Sequence, residues 1–126
     1  MILSCDKNVI SEGVNIVSKV ILAKSPVPAL EGILFEAYNG GKLKLTGSDI
    51  DVGIETYIDV DVEKEGSIIV NCKLFSEILR NLTNDVVKIE VDDKFNMHIS
   101  CGVVKYTIPC MNPKMYPTIP IFDKEK

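Results

Sequence analysis

Residues 49–63 alternate between acidic and apolar side chains, and this alternation constrains the fold more than any other stretch of the chain. The apolar residues hold even positions: Ile50, Val52, Ile54, Ile58, Val60 and Val62. The acidic residues hold odd positions: Asp49, Asp51, Glu55, Asp59, Asp61 and Glu63. Successive side chains of a strand point to opposite faces, so a period of two predicts one buried and one solvated face. We therefore expect a strand over Ile50 to Val62 in an antiparallel sheet whose acidic face is wet.

The order strand, helix, three strands occurs twice along the chain. The first repeat is predicted as a strand at Met1 to Cys5, an N-cap at Asp6, a helix at Lys7 to Leu22, and strands at Ile33 to Tyr38, Leu43 to Thr46 and Ile50 to Val62. The second is predicted as a strand at Gly66 to Val70, a helix at Lys73 to Leu82, and strands at Val86 to Val91, Phe95 to Cys101 and Val103 to Cys110. Each helix carries apolar residues on one stripe: Ile10, Val14, Val17 and Ile21 in the first, and Leu74, Ile78 and Leu82 with Phe75 and Leu79 beside them in the second. Helices of this kind cover one face of a sheet.

This order predicts an α+β fold with an internal duplication. Three successive strands joined by short turns form antiparallel meanders, which excludes a doubly wound parallel sheet. We expect both helices on one side of the antiparallel sheets. The predicted domain covers residues 1–112. Residues 113–126 are rich in proline and end in charged residues, so we expect an extended connector that leads toward a further domain.

Composition excludes several classes of protein. The chain has 126 residues and is 46% hydrophobic, enough for one core. No stretch approaches the roughly 18 apolar residues that span a bilayer, and the N-terminus turns polar too early for a signal peptide, so we expect a cytosolic protein without a membrane partner. The cysteines are far apart and form no CxxC pair, which predicts four reduced thiols and no zinc site: Cys5, Cys72, Cys101 and Cys110.

Charge is distributed unevenly between the predicted helices and the rest of the chain. The net charge is −4, yet residues 7–24 and 73–81 together hold five basic and two acidic residues. The remainder holds nine basic and sixteen acidic residues. Basic helix faces in an acidic protein are compatible with nucleic-acid binding, and they are equally compatible with ordinary solvation. Charge alone leaves both readings open.

No constellation of residues predicts catalysis or a cofactor. Asp49 and Asp51 could hold Mg²⁺, but the acidic alternation continues along the strand and a solvated face explains it without a metal. Ser48 and Ser67 lack a neighbouring histidine, and the single His98 lies in an alternating strand, where we expect it at the surface. The glycines at 40, 41 and 47 belong to turns and lack the phosphate-loop pattern.

Three segments together resemble a known family. Pro28, Leu30, Ile33 and Leu34 lead into LKLTGSD at 43–49, GSIIVNCKLFSEILRNL follows at 66–82, and CGVVKYTIPCMNPKMYP follows at 101–117. These motifs, in this order and spacing, resemble the bacterial sliding clamp, the beta subunit of DNA polymerase III. The likeness covers essentially the whole chain and corresponds to the first of three similar domains in a clamp subunit. It implies the DNA clamp fold.

The resemblance also implies a function. Clamp subunits join head to tail into a two-subunit ring whose helices line a hole for duplex DNA, and the ring tethers the polymerase without catalysing a reaction. The expected partners are therefore duplex DNA, a second clamp subunit, and a polymerase and clamp loader that dock on domains beyond this one. The alternative is a stand-alone β-rich protein-interaction domain whose basic helix faces are incidental.

The resemblance assigns roles to individual residues. Lys24 and Lys73 match basic DNA-facing positions of the family, where relatives often have arginine, and Arg80 shares a helix face with Lys73. Lys19 is a weaker DNA-binding candidate. Lys105, Tyr106 and Ile108 match the edge strand that meets the partner subunit, and Leu74 sits where some relatives carry a basic interface residue. For Tyr106 and Ile108 the alternative is that they point into the core of this domain.

Overall fold

Two five-stranded sheets with two helices on one side form the architecture seen in a computed structural model, which describes residues 1–83, 85–117 and the backbone of 121–125. The helices are α1 (Lys7–Ser18) and α2 (Cys72–Asn81), with short 3-10 helices at Pro28–Glu31 and Pro113–Met115. The strands are β1 (Ile2–Asp6), β2 (Gly32–Tyr38), β3 (Lys42–Ser48), β4 (Gly53–Asp59), β5 (Asp61–Lys64), β6 (Gly66–Asn71), β7 (Val86–Val91), β8 (Asn96–Cys101), β9 (Val104–Pro109) and β10 (Ile121–Glu125). The predicted α+β class and the duplicated order of elements are confirmed.

The two repeats exchange their first strands. Sheet A has the order β5-β1-β7-β8-β9, and sheet B has the order β10-β4-β3-β2-β6. Thus β1 joins the meander of the second repeat, and β6 joins the meander of the first. The chain also crosses to the other sheet after β4 and after β9, the last strands of the two meanders, because β5 pairs with β1 and Met111 forms an antiparallel bridge with Ile69 of β6. Neither repeat can therefore complete a sheet alone.

The acidic alternation does not form the single strand predicted over Ile50 to Val62. Asp49 begins a turn, since its Oδ1 accepts hydrogen bonds from the amides of Asp51 and Val52 at 2.7 Å each. Ile50 lies in that turn and is 55% exposed, so its predicted burial is wrong. The strand then divides at Val60, where the chain leaves sheet B for sheet A. Period-two patterning cannot reveal this division, because the alternation continues through it.

The predicted wet face is also wrong at Glu55. Its carboxylate lies on the face of sheet B away from α1, yet the residue is 9% exposed. Glu55 Oε2 is 2.9 Å from Lys44 Nζ, and Glu36 Oε1 lies 3.7 Å from the same ammonium. Burial opposes the charge of Lys44, but the hydrogen bond to Glu55 and the nearby Glu36 outweigh it and raise the pKa of Lys44 above its ordinary value.

Helix α1 begins as predicted and ends earlier than predicted. Asp6 is the N-cap, and its carboxylate accepts a hydrogen bond of 2.7 Å from the amide of Asn8. The helix ends at Ser18, four residues before the predicted end, where the amide of Ile21 donates to the carbonyl of Ser18 at 3.2 Å. Past this turn, Ile21 packs against the end of β3 at Gly47.

Helix α2 packs its apolar stripe on sheet B. Asn71 is its N-cap, and its Oδ1 accepts from the amide of Leu74 at 2.9 Å. Phe75 meets Phe35 of β2 edge to face, with ring centroids 5.3 Å apart. The inward positions of the helix are Cys72, Phe75, Ile78 and Leu79. Leu74, which the apolar spacing placed on the buried stripe, is 37% exposed.

The chain after β9 lies across one end of sheet B. Cys110 donates its amide to the carbonyl of Phe95 at 2.8 Å, and Met111 exchanges both backbone hydrogen bonds with Ile69 at 2.9 and 3.1 Å. Tyr116 then places its hydroxyl 2.7 Å from Ser48 Oγ. Further along, the backbone of β10 pairs parallel with β4. Residues 118–120 and 126 of the predicted connector lie outside the described residues, and its role as a link to a further domain stays a prediction.

Candidate nucleic-acid interface

Helices α1 and α2 lie side by side and enclose a groove. The groove has a volume of about 440 Å³ and is open to solvent. Most of the residues that line it are polar, and Val14 and Leu79 are apolar. The polar ones are Lys7, Ser11, Glu12, Asn15, Ser18, Ser76 and Arg80. Polar side chains on the outward faces of two neighbouring helices form a surface suited to a hydrated, charged ligand.

Lys73 and Arg80 lie at opposite ends of α2. Lys73 is in the first turn and Arg80 in the last turn, and both are exposed. Seven positions correspond to about two turns, so the two cations share one face of the helix. Arg80 also lines the groove, together with residues of α1.

Lys19 and Lys24 extend this basic set beyond the end of α1. Lys19 is the C-cap residue of α1, and Lys24 lies in the loop that follows; both are exposed. A lysine at a helix C-terminus is favoured by the helix dipole, which accounts for Lys19 without a ligand. Within residues 1–83 and 85–117, none of the four predicted DNA-binding cations forms an ion pair with a carboxylate.

Lys7 is a basic residue of the groove whose role the sequence did not reveal. Its Nζ donates a hydrogen bond of 2.7 Å to the carbonyl of Leu82, just past α2, and its amide donates to the carbonyl of Asp85 at 3.0 Å. Lys7 therefore ties the start of α1 to the end of α2. No local pattern could have indicated this contact, because the partners are 75 residues apart.

The residues predicted at a subunit edge occupy different environments. Lys105 is exposed on β9. Ile108 is 7% exposed and belongs to the core, and Tyr106 lies on the same face, packed against the core. Their side chains therefore follow the alternative in which they point into this domain. Among the described strands β9 pairs only with β8, so the backbone of its other edge is free.

Three apolar side chains of the second repeat are exposed. Val103, in the turn that precedes β9, is 98% exposed, and Val86 at the start of β7 is 57% exposed. Leu74 on α2 is 37% exposed. A free strand edge with nearby apolar residues is a surface on which another chain can pair.

The residues considered for metal or catalytic roles make structural contacts. Among the described residues, no group of three or more His, Cys, Asp or Glu side chains is placed to hold a metal ion. His98 is at the surface, where Nε2 lies 3.0 Å from Asp92 and Nδ1 lies 3.0 Å from Thr107. Hydrogen bonds from the Asn96 amide and from His98 lower the pKa of Asp92 to about 2.

The four cysteines are all free thiols, as predicted. Cys5, Cys72 and Cys101 are buried, and Cys110 is partly buried. Burial raises the pKa of the Cys5 thiol to about 12 and that of Cys110 to about 11. Thiols of such high pKa are poor nucleophiles at neutral pH. No helix in the described part of the chain is long and apolar enough to cross a membrane.

Comparisons with known proteins agree with the motifs and the fold. A family model for the DNA polymerase III beta subunit, N-terminal domain, matches residues 1–120. The beta sliding clamp of Halalkalibacterium halodurans is 34% identical over 128 residues, covering 95% of this chain and 33% of that protein. The crystal structure of the DNA polymerase sliding clamp from Bacillus subtilis is 30% identical with a TM-score of 0.89, covering 95% of this chain and 33% of that chain.

The match extends over nearly all of this chain but only part of its relatives. The chain spans about a third of the length of the curated relatives that it matches. The DNA polymerase III beta subunit from Pseudomonas aeruginosa, at 22% identity and a TM-score of 0.88, shares the fold. The family model covers the predicted domain, both repeats and the motifs at 43–49, 66–82 and 101–117. The chain belongs to the family of DNA polymerase III beta subunit N-terminal domains.

Proposed function

We propose that this chain is the N-terminal domain of a replicative processivity factor, which encircles duplex DNA as a head-to-tail ring and tethers a polymerase while sliding. The observation that carries the proposal is the set of exposed cations on the two helices and in the loop after α1: Lys24, Lys73 and Arg80, with Lys19 as a weaker member. These exposed cations contrast with the net charge of the whole chain, which is −4. Family membership disfavours the alternative of a stand-alone interaction domain.

The arrangement of cations suits sliding. DNA phosphates attract lysine and arginine regardless of sequence, and such contacts fix no base register. Lys24 lies in a loop, whereas Lys73 and Arg80 are spaced along a helix, so the charges are dispersed over the surface. A dispersed set can exchange phosphates one at a time as the DNA moves. The protein supplies no catalytic step in this function.

The free edge of β9 is the proposed contact with a second subunit. Its backbone donors and acceptors are available for pairing, and the exposed side chain of Lys105 lies on the same strand. Exposed Leu74 on α2 would add an apolar contact. Since Ile108 is buried and Tyr106 faces the core, they would support this edge from behind. Polymerase and clamp loader would bind other domains of the complete protein in the bacterial cytoplasm.

The DNA contacts can be tested with this chain. Because each phosphate contact adds about 0.9 to the magnitude of the slope of log K against log salt, the Lys24→Ala, Lys73→Ala double variant is expected to reduce that slope by about 1.8. Binding to a fluorescent duplex at low salt, measured by anisotropy, gives the slope. We expect weak binding at physiological salt.

A matched control separates local contacts from net charge. Lys94 and Lys114 are exposed and lie off the two helices, so Lys94→Ala, Lys114→Ala makes the same change in charge elsewhere. The control is expected to keep the wild-type slope within about 0.5, since it removes no close phosphate contact. Equal effects of the two double variants would contradict the assignment of Lys24 and Lys73.

A further inference from the structure

A buried hydroxyl pair joins the segment after β9 to sheet B. Tyr116 places its hydroxyl 2.7 Å from Ser48 Oγ, 68 residues earlier in the chain. Ser48 is fully buried at the end of β3. Burial raises the pKa of the Tyr116 phenol above its ordinary value, and the bond to Ser48 opposes this only in part. We name residues 110–117 the exit segment, because the chain leaves β9 through them.

The exit segment has two anchors with different chemistry. The first is the backbone bridge, in which Met111 and Ile69 exchange hydrogen bonds of 2.9 and 3.1 Å. The second is the side-chain bond from Tyr116 to Ser48. Between them, Asn112 caps the 3-10 helix by accepting from the amide of Lys114 at 3.0 Å, which fixes the intervening turn. The first anchor lies at β6 and the second at the end of β3, so the segment crosses sheet B between two fixed points.

The surroundings make the second anchor selective for a hydroxyl pair. A buried hydroxyl without a partner is higher in free energy than a hydrated one, so Ser48 and Tyr116 each favour the position in which the other is available. Thr46, two residues before Ser48 on the same face, is 4% exposed and its hydroxyl has no partner among the described residues. Tyr116 therefore pairs with the last hydroxyl on this face of β3. This pairing fixes the point at which the segment ends its crossing.

We infer that Tyr116 is a positioning residue: its bond to Ser48 sets the direction in which the exit segment crosses sheet B, and hence how the chain approaches β10 at the far edge of that sheet. The inference deepens the proposed function in one respect, because in a multi-domain clamp subunit the chain would continue from β10, so the exit segment would help to fix where the chain departs from this domain. An anchor of this kind acts on geometry more than on global stability. Removing it would loosen the exit segment while the two sheets stay folded.

Hydrogen exchange and residual dipolar couplings of this chain test the inference. In Tyr116→Phe and in Ser48→Ala, the amides of Met111, Ile69 and Tyr116 are expected to exchange about three- to tenfold faster, the effect of losing one hydrogen bond. Core amides such as that of Ile89 are expected to keep their wild-type rates. The Ser48→Ala, Tyr116→Phe double variant should exchange no faster than either single variant, because one bond cannot be lost twice.

Residual dipolar couplings distinguish a bond that orients the exit segment from one that only stabilises it. In the wild type, couplings from residues 111–117 are expected to fit the alignment tensor of sheet B, and in both single variants their magnitudes are expected to fall. Tyr57→Phe is the control, since Tyr57 is a partly buried tyrosine of β4 whose hydroxyl has no hydrogen-bond partner among the described residues. It should leave rates and couplings unchanged.

Two results would overturn the inference. The first is wild-type exchange and couplings in both single variants. The second is faster exchange with couplings that still fit sheet B, which would mean that the bond stabilises the segment without orienting it. Neither measurement involves DNA, so a failure of the salt-slope experiment would contradict the proposed DNA contacts and leave the positioning role standing, and the converse also holds.

Discussion

Replacing Gly47 by alanine should move the C-terminal end of α1 away from β3. A Cβ atom at Gly47 would lie 2.5 Å from the carbonyl oxygen of Val17 and 2.9 Å from Ile21 Cδ1. The nearest obstacle is backbone in the last turn of the helix, which cannot rotate away as a side chain can. The helix end must shift by several tenths of an ångström, and overpacking of this kind costs about 1–3 kcal/mol.

The expected loss for Gly47→Ala is therefore about 2 kcal/mol. With a urea m value of about 2 kcal/mol per molar for a domain of this size, the unfolding midpoint should fall by about 1 M. Equilibrium unfolding in urea, followed by far-UV circular dichroism, measures this shift. An unchanged m value would show that the denatured state is the same in both proteins.

Gly13→Ala is the matched control, because it adds the same methyl group to the same helix interface. There the added Cβ would meet side-chain ends, Leu45 Cδ1 at 2.7 Å and Ile58 Cγ2 at 3.0 Å, which can adjust. Alanine also gains up to about 1 kcal/mol over glycine within a helix, which offsets the crowding. We expect a net change within about 1 kcal/mol. If Gly13→Ala destabilised the protein more than Gly47→Ala, the distinction between backbone and side-chain obstacles would be wrong.

Two further predictions concern the charged contacts of the sheets. Lys44→Met leaves the nearly buried Glu55 without its cation and is expected to cost about 2–4 kcal/mol in urea unfolding, whereas Lys42→Met, which removes the exposed pair with Asp59, should cost under about 1 kcal/mol. Equal losses would contradict the role of burial. Asp92 has a folded pKa of about 2, below its ordinary 3.8, so its contribution to stability is present above pH 4 and is lost as pH falls toward 2. A carboxyl-carbon NMR titration should give about 2 for the wild type and a higher pKa in His98→Gln; a wild-type value near 3.8 would refute the hydrogen-bonding account.

Local patterns in the sequence predicted the elements well. Asp6 before an apolar stripe indicated the start of α1, and the glycines at 40 and 41, both with positive φ, indicated the turn between β2 and β3. These features depend on neighbours within one helical turn or one hairpin, so the sequence carries them directly. The duplicated order of elements followed from the same local signals.

Features that depend on distant partners were not predictable from the same patterns. The exchange of β1 and β6 between sheets requires pairing between distant parts of the chain. The residue pattern of each strand is compatible with either sheet. The early end of α1 depends on Ile21 meeting Gly47. The alternation predicts a solvated Glu55, whereas in the fold its carboxylate is paired with Lys44 of the neighbouring strand β3. In each case a tertiary contact outweighs the local pattern.

The residues of the candidate site also divide into those that the sequence predicted and those that it did not. Lys24, Lys73 and Arg80 were identified by resemblance; all three are exposed in the structure, and their contact with DNA stays a prediction. Lys7 was missed as a site residue because its contact with Leu82 links the two repeats. Ile108 was assigned to an edge, and the strand is at an edge, but its side chain faces inward because the strand alternates. The structure therefore agrees that β9 is an edge strand, and its use as a subunit contact stays a prediction.

Retention on circular DNA tests the central claim most directly. The complete reading frame that contains this chain would be expressed, loaded on a nicked circular duplex with a cognate clamp loader, and separated from free protein by gel filtration before and after the circle is cut once. We predict that the protein remains with the circle and is released from the linear duplex, because a ring is held by topology and slides off an end. Equal retention on both forms would contradict the account, since it would mean that direct contacts hold the DNA.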